Sequence, residues 1–324
     1  MIGQRARLHI LGSPGDPHIR GVTAELLTKG VTCLVYSPVS DEEGARLPSV
    51  RLTEASGIAV PVEPKDWWWL RSKHRTIRYR SADDQRRSFE ATTRRDVALS
   101  LIAGRGCGCF NNEWRGLPDK LTQLDVARSL GFAVPDTLVS CDKAEIIAFI
   151  QAFGRLIVKP FSMSFAPAYG SDDATLISIM ANLVTVAEIS AASDEQVASF
   201  PAIYQAYIEK SHELRVVAFG DACLGFQIDS QASPRSMIDW RRAERLPGIV
   251  GREPVPLSPE IQDFTSAFLR RSHLHSGVFD FAVTPDGKTV FFECNPSGQW
   301  AELDGTHGSV TRLFADGFES LLSS

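Results

Sequence analysis

Two apolar runs rich in β-branched and aromatic residues lie late in the chain. They are Val278-Phe279-Asp280-Phe281-Ala282-Val283 and Thr289-Val290-Phe291-Phe292-Glu293-Cys294-Asn295, on either side of Thr284-Pro285-Asp286-Gly287-Lys288. Such runs around a Pro-Asp-Gly turn predict a β-hairpin. With Asp286-Gly287 as a two-residue loop, Asp280 falls directly opposite Glu293. Asn295, two residues further on, shares their face. Directly opposed carboxylates repel each other. A cation between them relieves that repulsion, and two carboxylates with an amide oxygen are hard ligands suited to Mg²⁺. The alternative is an exposed hairpin with three solvated polar residues.

Elsewhere the pattern predicts a β-α-β start: a strand at 7–11, a helix at 19–29 closed by Gly30, and a buried strand at 31–36. The loop at 12–17 lacks the G-x-G-x-x-G spacing, so no dinucleotide site follows. A linker at 113–119 leads to a helix at 120–131 with Leu121, Leu124, Ala127 and Leu130 on one stripe. A second helix is expected at 142–153, with Asp142 as its N-cap. Residues 156–160 read as a strand, 161–173 as a loop, and 202–208 as an apolar strand. Residues 214–219 and 222–228 form another hairpin around Gly220-Asp221, and 259–271 an amphipathic helix. The β-α-β start predicts a small α/β domain.

Composition narrows the setting. The chain has 324 residues, a formal net charge of −5 and six scattered cysteines. No apolar run approaches the roughly 20 residues of a membrane span. The first residues lack the long apolar stretch of a signal peptide. Only Cys107 and Cys109 are close, and nothing nearby completes a zinc set. The expectation is a reducing, cytoplasmic setting with free thiols.

Residues 71–95 hold nine Lys/Arg against three acids, Asp83, Asp84 and Glu90, directly after Trp67-Trp68-Trp69. One reading is a docking surface for an acidic partner. The other is a solvated helix anchored to the core by its tryptophans. No recognised binding motif accompanies the charge, so nucleic acid is not expected.

Several polar residues are stranded in apolar context: Lys120, Lys159, Glu213, Arg215, Asp239, Arg241, Asp280, Glu293 and Asn295. A lysine ending the run Leu156-Ile157-Val158 keeps its ammonium beside core strands, unless it snorkels to water. Taken in order, five segments resemble the ATP-grasp ligase fold. They are Lys120-Leu-Thr-Gln-Leu-Asp-Val-Ala-Arg-Ser-Leu-Gly, Ile157-Val158-Lys159-Pro160, Gln205-Ala-Tyr-Ile208 with Glu213-Leu-Arg215-Val, Phe279-Asp280-Phe281, and Phe292-Glu293-Cys294-Asn295-Pro296. Together they span residues from about 110 to 305. Asn295-Pro296-Ser297-Gly298-Gln299-Trp300 and Asp239-Trp240-Arg241 resemble more specifically the ATP-grasp maturases of ribosomal peptides, the microviridin-type or graspetide macrocyclases.

That resemblance implies an α/β (α+β) ATP-grasp fold. Its parts would be an N-terminal pre-ATP-grasp domain (1–112), a central subdomain (113–200) and a C-terminal subdomain with the metal site (201–324). It implies ATP and Mg²⁺ as cofactors. Lys120 and Lys159 would contact phosphates, Gln205, Tyr207 and Ile208 the adenine edge, and Glu213 the ribose. Arg215 and Arg241 would be catalytic, clamping phosphate or acyl-phosphate oxygens with a forked guanidinium. Asp280, Glu293 and Asn295 would hold Mg²⁺. The implied activity joins Asp/Glu side chains of a precursor peptide, leader plus acidic core, to hydroxyls or an amine through acyl phosphates. A homodimer is allowed. Two other readings stay open. One is a carboxylate–amine ligase acting on free amino acids or a protein terminus, and the other a regulatory protein that kept the fold and lost turnover. No general base is evident. His212 reads as a surface residue. The loop after Lys159 carries few glycines for a phosphate-covering lid.

Overall fold

The computed structural model describes all residues except 1–5, 40–50, 54–56, 60–61, 72–81, 112–115, 162–164, 168–175, 179, 200, 244–246 and 306. Its elements alternate as the sequence pattern predicts. β1 (Leu8–Leu11), α1 (Pro17–Thr28) and β2 (Cys33–Tyr36) open the chain. β3 (Arg51–Thr53) and β4 (Gly57–Ala59) form a small antiparallel pair. β5 (Trp67–Leu70), α2 (Ala82–Arg105) and β6 (Gly108–Cys109) complete a parallel sheet of order β2-β1-β5-β6. The tryptophans therefore do not anchor a helix. Trp67, Trp68 and Trp69 are strand β5 in the middle of the sheet, and Trp68 and Trp69 are buried.

The basic stretch is not an open patch where it is described. Arg71 is buried and donates to Asp16 and Gln299. Arg86 pairs with both Asp83 and Glu90, and Arg94 donates to Ser37 O. Burial thus withdraws Arg71 from the docking surface read from this stretch, Arg86 stays 44% exposed, and residues 72–81 lie outside the described residues.

The central sheet has order β11-β8-β12-β7. After α3 (Lys120–Ser129) come β7 (Thr137–Ser140), α4 (Lys143–Phe153) and β8 (Leu156–Pro160). Within the stretch expected to be loop, β9 (Phe165–Pro167) pairs with β10 (Leu176–Ser178). Most of the rest of that stretch, and with it the lid question, lies outside the described residues. β11 (Asn182–Val184), α5 (Val186–Ala191), α6 (Asp194–Ala198) and β12 (Ala202–Ala206) complete this part. One face of the sheet packs Leu156 and Tyr204 against Ile146, Ile150 and Ile189. Alternation then turns Ile157, Lys159, Ile203 and Gln205 to the opposite face.

The third sheet, of order β14-β13-β15-β16, is antiparallel. Its strands are β13 (His212–Phe219), β14 (Ala222–Ile228), β15 (Ser276–Val283) and β16 (Thr289–Asn295). α7 (Pro259–Arg271) precedes β15, and α8 (Ser309–Ser323) ends the chain. One face of this sheet, with Leu214, Val216, Phe279, Phe281 and Phe291, packs on α3 and α7 through Leu124, Phe264 and Phe268. The other face changes character along its length. At one end Val217, Phe219 and Val278 join a core with Trp69, Trp300, Phe314 and Phe318. At the other it presents Arg215, Asp280 and Glu293. The apolar end fastens the sheet to β1 and β5 and leaves the charged end facing the central sheet.

Candidate active site

The charged end is built by register. Arg215 on β13 lies opposite Asp280 on β15, which lies opposite Glu293 on β16. Glu213 and Asn295 sit two residues along their strands on the same face. The expected two-residue turn is not what produces this. Thr284 N–H donates to Lys288 O and Gly287 N–H to Thr284 O, and Gly287 has φ +83°. The loop is therefore the three residues Pro285, Asp286 and Gly287, with glycine in the left-handed position such a loop needs. That shifts the pairing by one residue, so Phe281 faces Phe291. A bulge then leaves Phe292 as an extra residue and restores the pairing of Asp280 with Glu293. It also lets Phe291 enter the aromatic core while Glu293 faces the cleft.

A cavity of about 360 Å³ lies between this row and the central sheet. That is within the roughly 300–1,000 Å³ of small-molecule sites. Its walls include Lys120, Lys159, Gln205, Tyr207, Ile208, Glu213, Arg241, Asp280, Glu293 and Asn295. Ten of the eleven residues singled out from the sequence are thus brought together. The eleventh, Arg215, lies behind them. Its Nη1 is 2.7 Å and 3.1 Å from the two Asp280 oxygens, and Nη2 donates to Gln299 O at 2.8 Å. Arg215, expected to clamp phosphate oxygens, grips Asp280 in this arrangement. The guanidinium also lies 5.3 Å from the Trp240 ring.

Two lysines enter from the other wall. Lys120 begins α3, whose N-cap Asp119 accepts from Leu121 N–H and Thr122 N–H. Its Nζ donates to Pro160 O at 2.9 Å, which ties the helix to the end of β8 beside Lys159. Burial pulls Lys159 down to about 8, with Glu293 opposing and Lys120 adding to the fall. Burial also lowers Lys120, again against the pull of Glu293. Burial alone would raise Glu293, but Lys159 and Lys120 outweigh it and hold the carboxylate below its usual range. Asp280 goes the other way. Burial, helped by repulsion from Glu293, raises it despite Arg215. The two facing carboxylates are therefore pushed apart in acidity by their surroundings.

The strand-to-strand linker after β12 forms the third wall. Tyr207 N–H donates to Arg155 O at 2.9 Å, and the Arg155 guanidinium lies 4.1 Å from the Tyr207 ring. Gln205 Nε2 donates to Thr137 Oγ1. Lys210, which the sequence reading passed over, is buried with Nζ 2.7 Å from Glu213 Oε1. Burial raises Glu213, and Lys210 opposes that rise. His212, by contrast, has only Ser211 Oγ beside its Nδ1, at 2.9 Å. One further residue was missed, and Asp239, named from the sequence, had been given no role. Gln123, one turn after Lys120, lines the cavity, and buried Asp239 holds Arg241 through two bonds of 2.7 Å. Asp239 also accepts from Ala181 N–H, and Arg242 donates to Ala181 O. The loop carrying Arg241 is thereby fastened to the residue before β11, across the cleft. Periodicity could not reveal the role of Gln123 or the anchoring of Asp239, because their partners Cys294 and Ala181 are distant in sequence.

Among the described residues, no group of three or more His, Cys, Asp or Glu could hold a metal unaided. Asp280, Glu293 and the Asn295 amide offer an all-oxygen set that fits a hard cation needing further oxygens from a bound phosphate. Asn295 Oδ1 already accepts from Ser297 N–H at 3.1 Å, which leaves it one lone pair.

No family model matches the chain, and no curated protein matches it by sequence. Its architecture is nonetheless shared. It is similar to a RiPP-associated ATP-grasp ligase of Chryseobacterium gregarium in complex with ADP and a leader and core peptide. The TM-score is 0.78 at 20% identity, over 96% of this chain and 96% of that one. It is similar to macrocyclase MdnC of Microcystis aeruginosa MRC bound with precursor peptide MdnA, with TM-score 0.73 at 21% identity, over 98% and 100% of the two chains. ATP-grasp ligase PsnB, complexed with a phosphomimetic variant of minimal precursor, Mg and ADP, gives TM-score 0.68 at 20% identity, over 98% of each chain. The cleft between an antiparallel four-stranded sheet and a second, charge-bearing one is thus that of the ATP-grasp fold, and this chain has that fold.

Proposed function

We propose that this protein is an ATP-dependent peptide macrocyclase. It would activate Asp or Glu side chains of a ribosomal precursor peptide as acyl phosphates and join them to hydroxyls or an amine. The observation that carries this reading is the row Asp280–Glu293 facing Lys120 and Lys159 across one cleft. Two carboxylates and two lysines around a cavity of nucleotide size suit a triphosphate bound with a cation. The solved proteins of similar architecture hold ADP, Mg and precursor peptides, which supports the same ligands here.

Mg²⁺, when bound, would neutralise phosphate charge at Asp280, Glu293 and Asn295. Lys120 and Lys159 would hold the phosphates from the opposite wall. Glu213, kept in place by Lys210, would accept from the ribose hydroxyls, and the 205–208 segment would border the adenine. A substrate carboxylate oxygen attacks the γ-phosphorus and ADP leaves. A hydroxyl or amine then attacks the acyl carbon, phosphate leaves, and the nucleophile's proton goes to solvent. Arg241, fixed by Asp239 but half exposed, would meet the acyl-phosphate oxygens. Charge neutralisation and positioning do most of the work in such transfers.

The test is incubation with ATP, Mg²⁺ and an acidic candidate precursor, followed by intact mass. Loss of one water per bond supports cyclisation. Gain of an amino-acid residue would instead identify a carboxylate–amine tailing ligase. ATP binding without turnover on any substrate would identify a regulatory protein.

A further inference from the structure

Gln123 lies on α3 one helical turn beyond Lys120 and is 5% exposed. Its Oε1 accepts the N–H of Cys294 at 2.9 Å and its Nε2 donates to Pro118 O at 3.0 Å. These partners fix the amide's orientation, since an N–H needs an oxygen and a carbonyl needs a donor. Cys294 is the residue between Glu293 and Asn295. β16 is the outermost strand of its sheet, so among the described residues no neighbouring strand meets its outward amides. Two contacts close that edge: Phe291 N–H to Ala133 O, and Cys294 N–H to Gln123. The second sits between the two candidate ligands of β16. The helix that delivers Lys120 therefore also holds the strand that delivers Glu293 and Asn295.

We propose that Gln123 is a positioning residue that fixes Glu293 and Asn295 relative to Lys120, so that cation ligands and phosphate-facing lysine form one rigid unit. The inference rests on the nucleotide and Mg²⁺ reading above. Gln123 borders the cavity, but both ends of its amide are engaged, by Cys294 N–H and Pro118 O, so in this scheme it bonds neither the nucleotide nor the cation. It acts through the Cys294 amide, as outer-shell hydrogen bonds do when they orient metal ligands.

The experiment is calorimetric titration of ADP into wild type and Gln123→Met, once in EDTA and once in millimolar Mg²⁺. Methionine fills the same volume without either hydrogen bond. The expected result is ADP affinity in EDTA within about two-fold of wild type, with the Mg²⁺-dependent gain reduced about ten-fold, the low end for loss of an outer-shell partner. An undiminished Mg²⁺ gain in Gln123→Met would overturn the inference and leave the nucleotide reading standing. An equal loss with and without Mg²⁺ would mean a structural role only and would also overturn it. If wild type itself binds ADP with no Mg²⁺ gain, the nucleotide reading fails and takes this inference with it. Should Gln123→Met not fold, Gln123→Glu is measured instead, because its carboxylate still accepts from Cys294 N–H. A Mg²⁺ gain within about three-fold of wild type then supports the role, and a loss of about ten-fold or more rejects it.

Discussion

Arg215 and Asp280 are cross-strand partners, and one guanidinium nitrogen of Arg215 reaches both oxygens of the Asp280 carboxylate. Asp280 thereby has a counter-charge on one side and the Glu293 carboxylate on the other. Arg215→Met removes the nearest counter-charge and leaves only the more distant Arg241 against the repulsion from Glu293, which pushes Asp280 further toward its protonated form. Turnover should fall by about 100-fold or more, as for other fixed charge-stabilising groups. ADP affinity should change by less than about three-fold, because Arg215 does not line the cavity. Steady-state kinetics paired with an ADP titration checks both. A kinetic loss under ten-fold would reduce Arg215 to a stabilising partner.

Glu293→Gln is nearly isosteric and removes the repulsion with Asp280. It should abolish turnover while leaving the fold intact, as read by circular dichroism. Full activity in this variant would sink the assignment of Glu293 to the cation. The same change takes from Lys159 its main favourable charge, so Lys159 should be neutral at still lower pH.

Lys159 gives a pH-dependent prediction. Its ordinary pKa is 10.5 and burial brings it to about 8 in the ligand-free protein. Above pH 8 the free protein has lost this proton, and a phosphate bound beside Lys159, as proposed above, would restore the charge. ADP binding near pH 8.5 should therefore take up a proton, and near pH 6.5 much less. Calorimetry in buffers of different ionisation enthalpy measures this, and Lys159→Met should abolish the uptake. The sign for stability follows. Between about pH 8 and 10.5 the unfolded chain binds more protons at this site, so its contribution to ligand-free stability rises with pH across that window.

His18 joins α1 to the segment just past the hairpin. Its Nε2 accepts the N–H of both Trp300 and Ala301 at 3.1 Å, and Nδ1 lies 2.6 Å from Asp16 Oδ1. These partners require a neutral imidazole with its proton on Nδ1. Burial lowers its pKa accordingly, and Asp16 opposes that fall without overcoming it. As pH falls through the ordinary value of 6.5, the unfolded chain takes up a proton that the folded one refuses, so this site's contribution to stability declines. His18→Leu leaves two buried amides without an acceptor and should cost about 2–4 kcal/mol. A urea midpoint within error of wild type would show that the amides find another partner.

Local rules made much of the architecture legible. The apolar runs ending at Lys159, Asp280 and Glu293, the capped helices beginning at Lys120 and after Asp142, and the glycine-turned hairpins all follow from periods of 2 and 3.6 residues. The facing of Asp280 and Glu293 was legible too, although the assumed turn was not the one formed. A three-residue loop and the Phe292 bulge offset each other, and the choice between these routes depends on which aromatic residues the core can take. The amino-acid order by itself determined which positions carry charge and which strands could hold them. Tertiary structure alone decided that Arg215 grips Asp280, that Lys210 is buried against Glu213, that the tryptophans form a central strand, and that Gln123 closes the edge beside Glu293. Each of these depends on segments far apart in the chain packing their apolar faces together. That burial is non-directional and summed over the whole molecule, so no local pattern records which charged residues it will bring face to face.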